Sequence, residues 1–305
     1  MEKKTRWLVI SSLIVIAMWL VSCGAVGAEE EGKVTPTPAP TALPPNPTAP
    51  VLGEAGRFVI LASQKITAGG VATVSGRYNL DGDVIIAGRV TAISNGNIGI
   101  TDQPRTYYEG FTPGANPGQF MELTNGLSYA RDDTDPALIP AGYASTIDFM
   151  DQVRTDLGAA YNFLAADPNP SAPTQVCPTE LGEQTLTRGV YKTGADVIIK
   201  KGDLHLDAQG DPNSVWIFSI DGTFTPSATG GNIILDNGAQ AKNVYWRTGG
   251  TTTIRAGSIF YGNMFAWSQI DVLGGDYWYG TDVTGRLFSV NEQVTLFYGT
   301  VTKAP

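Results

Sequence analysis

Short apolar runs, each cut off by glycine, asparagine or aspartate, recur along most of this chain. Phe58-Val59-Ile60-Leu61, Val84-Ile85-Ile86, Val197-Ile198-Ile199, Val215-Trp216-Ile217-Phe218, Asn232-Ile233-Ile234-Leu235 and Val244-Tyr245-Trp246 are of strand length and rich in β-branched or aromatic residues. They predict strands. Over 142–166 the period changes: Ile147, Met150, Val153, Leu157, Tyr161 and Leu164 recur at three- or four-residue steps with Asp148, Asp151, Arg154 and Asp156 among them. That spacing predicts one amphipathic helix, stopped by Asp167-Pro168. Between Asn95 and Pro140 the pattern lapses into Gly, Pro, Asn, Tyr and Asp, with Thr112-Pro113-Gly114 and Asn116-Pro117-Gly118 as turn signals. A segment this long, about 95–140, is expected to cap a stack of strands whose end would otherwise expose unpaired edges.

The N-terminal pattern is different in kind. Lys3, Lys4 and Arg6 precede an apolar run from Trp7 to Val21, interrupted by Ser11 and Ser12, which is the order of a secretory signal over 1–22. Leu20-Val21-Ser22-Cys23 has the pattern of a bacterial lipobox, so Cys23 is expected to be acylated as the first residue of the mature chain; cleavage near Ala25 or Ala28 is the alternative. From 23 to 52 the chain carries Thr35-Pro36-Thr37-Pro38-Ala39-Pro40 and Pro44-Pro45-Asn46-Pro47, a composition that predicts a disordered, semi-rigid spacer. The expected organisation is therefore signal 1–22, linker 23–52 and one folded domain 53–305, lipid-anchored outside the cytoplasm at the cell surface or outer membrane.

Charge and chemistry narrow the functions. The whole chain has net charge −9, and removal of Lys3, Lys4, Arg6 and Glu2 with the signal leaves the remainder more acidic still, a poor match for nucleic acid. If Cys23 carries lipid, Cys177 has no intramolecular partner, and no activating histidine lies near it in sequence. The single histidine, His205, alternates with Asp203 and Asp207; this reads better as a half-buried strand than as a metal site. No phosphate loop is present and no carboxylate pair stands out, so no enzyme, metal or cofactor is expected. Thr229-Gly230-Gly231-Asn232 and Thr248-Gly249-Gly250-Thr251 repeat one four-residue pattern at a spacing of nineteen, which predicts stacking on successive coils.

Several segments in fixed order resemble the microbial ice-binding protein family. They are Leu186-Thr187-Arg188-Gly189-Val190-Tyr191, Leu204 to Phe218 through Asp211-Pro212-Asn213, Asn237 to Trp246, and Phe260-Tyr261-Gly262-Asn263. The resemblance spans roughly Arg57 to Val301 and includes the Phe58-Val59-Ile60-Leu61-Ala62 opening. It implies a mainly β fold: a discontinuous right-handed β-solenoid (β-helix) of triangular cross-section, with one long helix packed alongside and a capping insertion. It also implies antifreeze or recrystallisation-inhibiting adsorption to an ice surface through a flat Thr/Asn face. Thr229, Asn232, Thr248 and Thr251 fit the motif, and Thr253 joins them by strand parity with Thr251. The alternative is an adhesin or structural module presenting Trp267, Tyr277, Trp278 and Tyr279 to a polysaccharide or a surface protein.

Overall fold

A computed structural model describes residues 43–69, 91–226, 231–274 and 280–305. Among these, strands pair in parallel into a twelve-stranded, a seven-stranded and a three-stranded sheet. Parallel neighbours cannot be joined by hairpins, so the chain must travel elsewhere before returning to each sheet. Here it travels through the other two faces of a coil. One circuit runs from Trp216–Ile220 on a helix-covered face to Phe224–Pro226 on a second face. It continues to Ile233–Asp236 on a third and returns as Val244–Thr248, paired residue for residue with Trp216–Ile220.

The strands that come first in sequence sit among the last. Phe58–Ala62 lies between Thr281–Ser289 and Asn97–Ile100, with Ile60 opposite both Leu287 and Ile98. Lys65–Gly69 lies between Gln293–Phe297 and Tyr108–Glu109. The segment 95–140 lays a terminal strand on each face at one end of the stack: Ser128–Ala130, Tyr108–Glu109 and Leu123–Thr124. At the other end Thr174–Val176 is an edge strand, and Val176 is 88% exposed.

The helix runs over Thr146–Ala165, shorter at its start than the period suggests, because Ser145 caps it by accepting a hydrogen bond from the Asp148 N–H. Phe149, Met150, Val153, Leu157, Ala160, Tyr161 and Leu164 are buried against Phe58, Leu61, Val190, Ile217, Tyr245, Phe265 and Phe288. Ile147, expected in that stripe, stays 46% exposed. Phe149 takes the first inward position instead, stacked on Phe58 at 5.9 Å.

Inside the coil lies a second core whose centre is aromatic. Phe218 and Trp246 stack at 4.0 Å and 9°, Phe224 joins Trp246 at 4.7 Å, and Tyr191 joins Phe218 at 5.3 Å. Two strands, Ile259–Ala266 and Thr281–Ser289, pass without a break from the third face onto the helix face. They bend at Gly262 and Gly285, which pair with each other at φ +126° and +154°. A β-carbon on Gly285 would stand 1.8 Å from the Gly262 carbonyl oxygen. Gly285→Ala is therefore expected to cost more than about 1 kcal/mol, a drop of at least roughly 2–4 °C in a circular-dichroism melt. Gly158→Ala, in the helix with nothing within 4 Å of the added atom, should leave the melt unchanged or raise it.

Part of the stretch expected as linker, 43–52, belongs to the same compact unit as the coil: Pro47 and Pro50 are buried, and Ala49 and Leu52 pack against the helix cluster. The signal, Cys23 and the linker up to residue 42 lie outside the described residues.

Candidate functional site

Of the three faces, one is covered by the helix and two face solvent. On the third face the outward side chains are mixed: Thr185, His205 and Ile234 in one row, Thr187, Asp207 and Asp236 in the next, then Ile259 and Tyr261. His205 Nδ1 is 2.7 Å from Asp236 Oδ2, Asp207 accepts from the Gln209 N–H and the Asn237 side chain, and Asp203 accepts from the Asn232 N–H. The three acidic or imidazole groups of the Asp203, His205, Asp207 run thus serve separate local hydrogen bonds. No group of three or more potential metal ligands occurs among the described residues.

The second face is more regular. Its strands alternate strictly, with Val197, Ile199, Phe224, Ile254, Ile270, Val272, Val294, Leu296 and Ile66 pointing into the core. Period-two geometry then fixes what points out. The pairings place Thr253 opposite Asp271, Asp271 opposite Thr295, and Thr295 opposite Thr67; the Phe224–Thr252 pair aligns Thr225 with Thr253. Two residues earlier on each strand, Thr223, Thr251, Gln269, Gln293 and Lys65 make a parallel row. Rungs are about 4.8 Å apart and the two rows about 6.7 Å apart.

Polar groups on this face are held by one another. Gln269 donates to Asp271 at 2.7 Å, Gln293 donates to Gln269 at 3.4 Å, and at the rim Lys65 pairs with Glu109 at 3.2 Å. Phe297, 39% exposed, lies across the position where Gly69 has no side chain; a β-carbon there would meet the ring at 2.0 Å. The product is a face bearing six threonines, β-branched and so restricted at χ1, together with Asp271, Gln269, Gln293 and Lys65. It has no nucleophile with an activating base.

The residues proposed from sequence divide. Thr251 and Thr253 stand on the threonine face, half-buried and outward. Thr248 does not: it is fully buried, and its hydroxyl meets Thr252 Oγ1 and the Gly250 carbonyl, each at 3.1 Å. It shares parity with Val244 and Trp246, both core residues, so it points inward at the edge where the helix face ends. Asn232 begins the third face, where its Oδ1 accepts the Ile259 N–H at 2.9 Å. Asn232 and Thr251, the last residues of the two glycine-rich motifs, therefore lie on different faces. Coil length varies, the register stepping 28 residues from Trp216 to Val244 and 18 from Tyr245 to Asn263, so the spacing of nineteen falls short of the coil in which the motifs lie. Thr229 lies outside the described residues, as do Tyr277, Trp278 and Tyr279.

Trp267 is 45% exposed at the edge between the helix face and the threonine face. Its ring lies 5.4 Å from that of Tyr161, and the Arg247 guanidinium sits 4.8 Å from the Tyr161 ring centre. With Asn162, Ala165 and Gly249 these three line an open hollow of about 330 Å³. Burial pushes the thiol of Cys177 up to about 12, which leaves it unreactive at neutral pH. Thr67, Thr223, Thr225 and Thr295 were not singled out from sequence. Their signal was threonine alternating with core residues in Ile66-Thr67-Ala68, Thr223-Phe224-Thr225 and Val294-Thr295-Leu296.

Comparison with known proteins adds five findings. The family model described as Ice-binding-like matches residues 80–302. Ice-binding protein 1 of Shewanella frigidimarina is 58% identical over 264 residues, covering 86% of this chain; the chain spans only 27% of that relative's length. An ice-binding protein of Colwellia sp. is 29% identical, covering 84% of each chain. Among solved structures, the domain of the Shewanella frigidimarina ice-binding protein aligns with TM-score 0.76 and 55% identity over 85% of this chain and 99% of that one. An ice-binding protein of the Antarctic ascomycete Antarctomyces psychrotrophicus aligns with TM-score 0.60 and 27% identity over 85% and 100%.

Proposed function

The chain belongs to the ice-binding-like family, and from that premise we propose that it adsorbs to ice through the threonine face, without a chemical step. The observation that carries this reading is the registered pair of rows, Thr225, Thr253, Asp271, Thr295, Thr67 and Thr223, Thr251, Gln269, Gln293, Lys65. A surface that binds a crystal must match a repeating plane of water. Stacked strands supply the repeat, and stiff threonines lose little rotamer freedom on contact. Methyls favour leaving liquid water while hydroxyls stay hydrogen-bonded to the ordered layer. The third face, with Ile259, Tyr261, His205 and paired acids, lacks such a plane.

We read the three faces as the sides of a right-handed coil of triangular section, supported by three sheets meeting at edges and by the prevailing hand of parallel crossovers. Lipid attachment at Cys23 and an extracytoplasmic position on the cell envelope are inferred from the Leu20-Val21-Ser22-Cys23 pattern and the spacer after it. Adhesion through aromatics is the second reading, favoured by one observation among the described residues, the half-exposed Trp267 beside its hollow.

The test is thermal hysteresis with ice-crystal shape for residues 43–305 at sub-millimolar concentration. Faceted crystals and a freezing gap are expected. Round crystals growing at the melting point would overturn the proposal and move attention to Trp267.

A further inference from the structure

Ten residues before the first 3-10 turn, Gly53–Arg57, lie as a strap along one edge of the coil. Arg188 donates from Nε to the Pro44 carbonyl at 2.7 Å and is itself held by Asp211 at 2.6 Å. Asn46 closes a two-way clamp: its side-chain oxygen accepts the Val215 N–H at 2.9 Å, and its amide donates to the Asn213 carbonyl at 2.8 Å. Beyond the clamp Pro47 and Pro50 are buried. The Glu54 N–H then reaches Asp156 at 2.7 Å, and Arg286 donates to the Gly56 carbonyl at 3.4 Å.

Both ends of the clamp fall on one edge of the coil. Arg188 lies between Thr185–Thr187 on the third face and Gly189–Thr193 on the helix face, and Asn213 and Val215 lie between Leu204–Asp207 and Trp216–Ile220. The anchors are therefore where the third and helix faces meet. In a three-faced coil that edge is opposite the remaining face, which is the threonine face. From the clamp to Phe58 the strap passes the strands Val244–Thr248, Ile259–Ala266 and Thr281–Ser289, about 19 Å at four strand steps.

The strap leads directly into a vulnerable strand. Phe58–Ala62 is inserted between two strands of distant sequence, so tension applied at Phe58 would draw a central strand out of the stack. We propose that Leu43–Leu52 is a force clamp: it takes the pull of an N-terminal tether at the edge opposite the threonine face, before that pull reaches the inserted strand. The need for it rests on the ice-adsorption reading, in which one side of the domain is held by ice and the other by the chain. The clamp itself is independent of that reading.

The experiment is single-molecule pulling on residues 23–305, with one handle on Cys23 and the other on a Thr253→Cys substitution; the buried Cys177 thiol, pushed up to about 12, does not compete for the handles. Asn46→Ala combined with Arg188→Ala should raise the opening rate under load roughly 5–30-fold, the effect of losing a few hydrogen bonds of ordinary net strength. With handles at the Thr253→Cys site and at Pro305, where the strap carries no tension, the same pair of substitutions should leave the rate unchanged. Equal effects in both geometries, or none in either, would overturn the clamp. Thermal hysteresis of the Asn46→Ala, Arg188→Ala variant is measured alongside: normal hysteresis with an unchanged pulling response removes the clamp alone, whereas absent hysteresis in the parent chain removes the ice reading alone.

Discussion

Thr253→Tyr is expected to abolish thermal hysteresis while the domain stays folded. Thr253 stands inside its row, between Thr225 and Asp271, with Thr295 and Thr67 beyond. Its side chain points away from the core, so enlarging it changes the surface and not the packing, and the melting curve should move by the equivalent of about 0.5 kcal/mol or less. A phenol ring at that point rises above the plane of methyls and holds the neighbouring rungs off any flat crystal surface. On the proposed reading the contacts to ice are many and weak, so a ring standing inside the row removes most of them together. We expect at least a roughly tenfold fall in hysteresis at equal concentration. Thr284→Tyr, outward on the third face beside Tyr261 and Thr302, should leave hysteresis intact. If the third-face variant loses activity and Thr253→Tyr keeps it, the faces are wrongly assigned. Thr248→Tyr should behave as neither: a tyrosine at a fully buried position overpacks the core and lowers the melting temperature first.

The contrast between Thr248 and Thr253 marks how far the sequence alone reaches. The helix was legible because its apolar stripe has a period no strand shares, although its first inward residue, Phe149, was passed over for Ile147. Strands were legible as runs, but on the helix-covered face they carry apolar residues on both sides. Phe58–Ala62 and Trp216–Ile220 are buried at every position, so alternation cannot tell in from out there. Thr248, which ends a strand of the same face, was chosen by its four-residue motif, and the motif says nothing about which side of the strand it lies on. On the threonine face alternation is intact, and Thr-x-Thr around Phe224 or Thr252 marks the outward side. The sequence could not show that Lys65–Gly69 continues the rows laid down by Gln293–Phe297, because that pairing joins opposite ends of the chain. Nor do Gly262 and Gly285 announce themselves as the bends that let one strand serve two faces, since the requirement comes from the adjacent strand, the Trp246 indole and Val244 carbonyl at Gly262 and the Gly262 carbonyl at Gly285, and not from their neighbours in sequence.

Trp246→Ala should be among the most destabilising single substitutions in the domain, and it should also reach the threonine face from within. The indole is fully buried, stacked on Phe218 at 4.0 Å and on Phe224 at 4.7 Å, and its N–H donates to the Tyr261 carbonyl at 3.0 Å. Truncating a large aromatic in such a site costs about 3–5 kcal/mol, and the orphaned carbonyl adds to it. At roughly 2–4 °C per kcal/mol for a domain of this size, the melting temperature should fall by about 6–20 °C. Trp246→Phe keeps a ring in the stack and loses the N–H, so its loss should be well under half of that. The functional consequence runs through Phe224, whose ring rests on the indole and whose neighbours Thr223 and Thr225 are rungs of the outer plane. With the indole gone, Phe224 can sink into the cavity and tilt those rungs. Hysteresis of Trp246→Ala should therefore fall even near 0 °C, where the domain is still folded by circular dichroism. Full hysteresis in a folded but less stable protein would mean that the plane is held by its backbone ladder alone, and that the aromatic stack contributes stability without setting the flatness of the face.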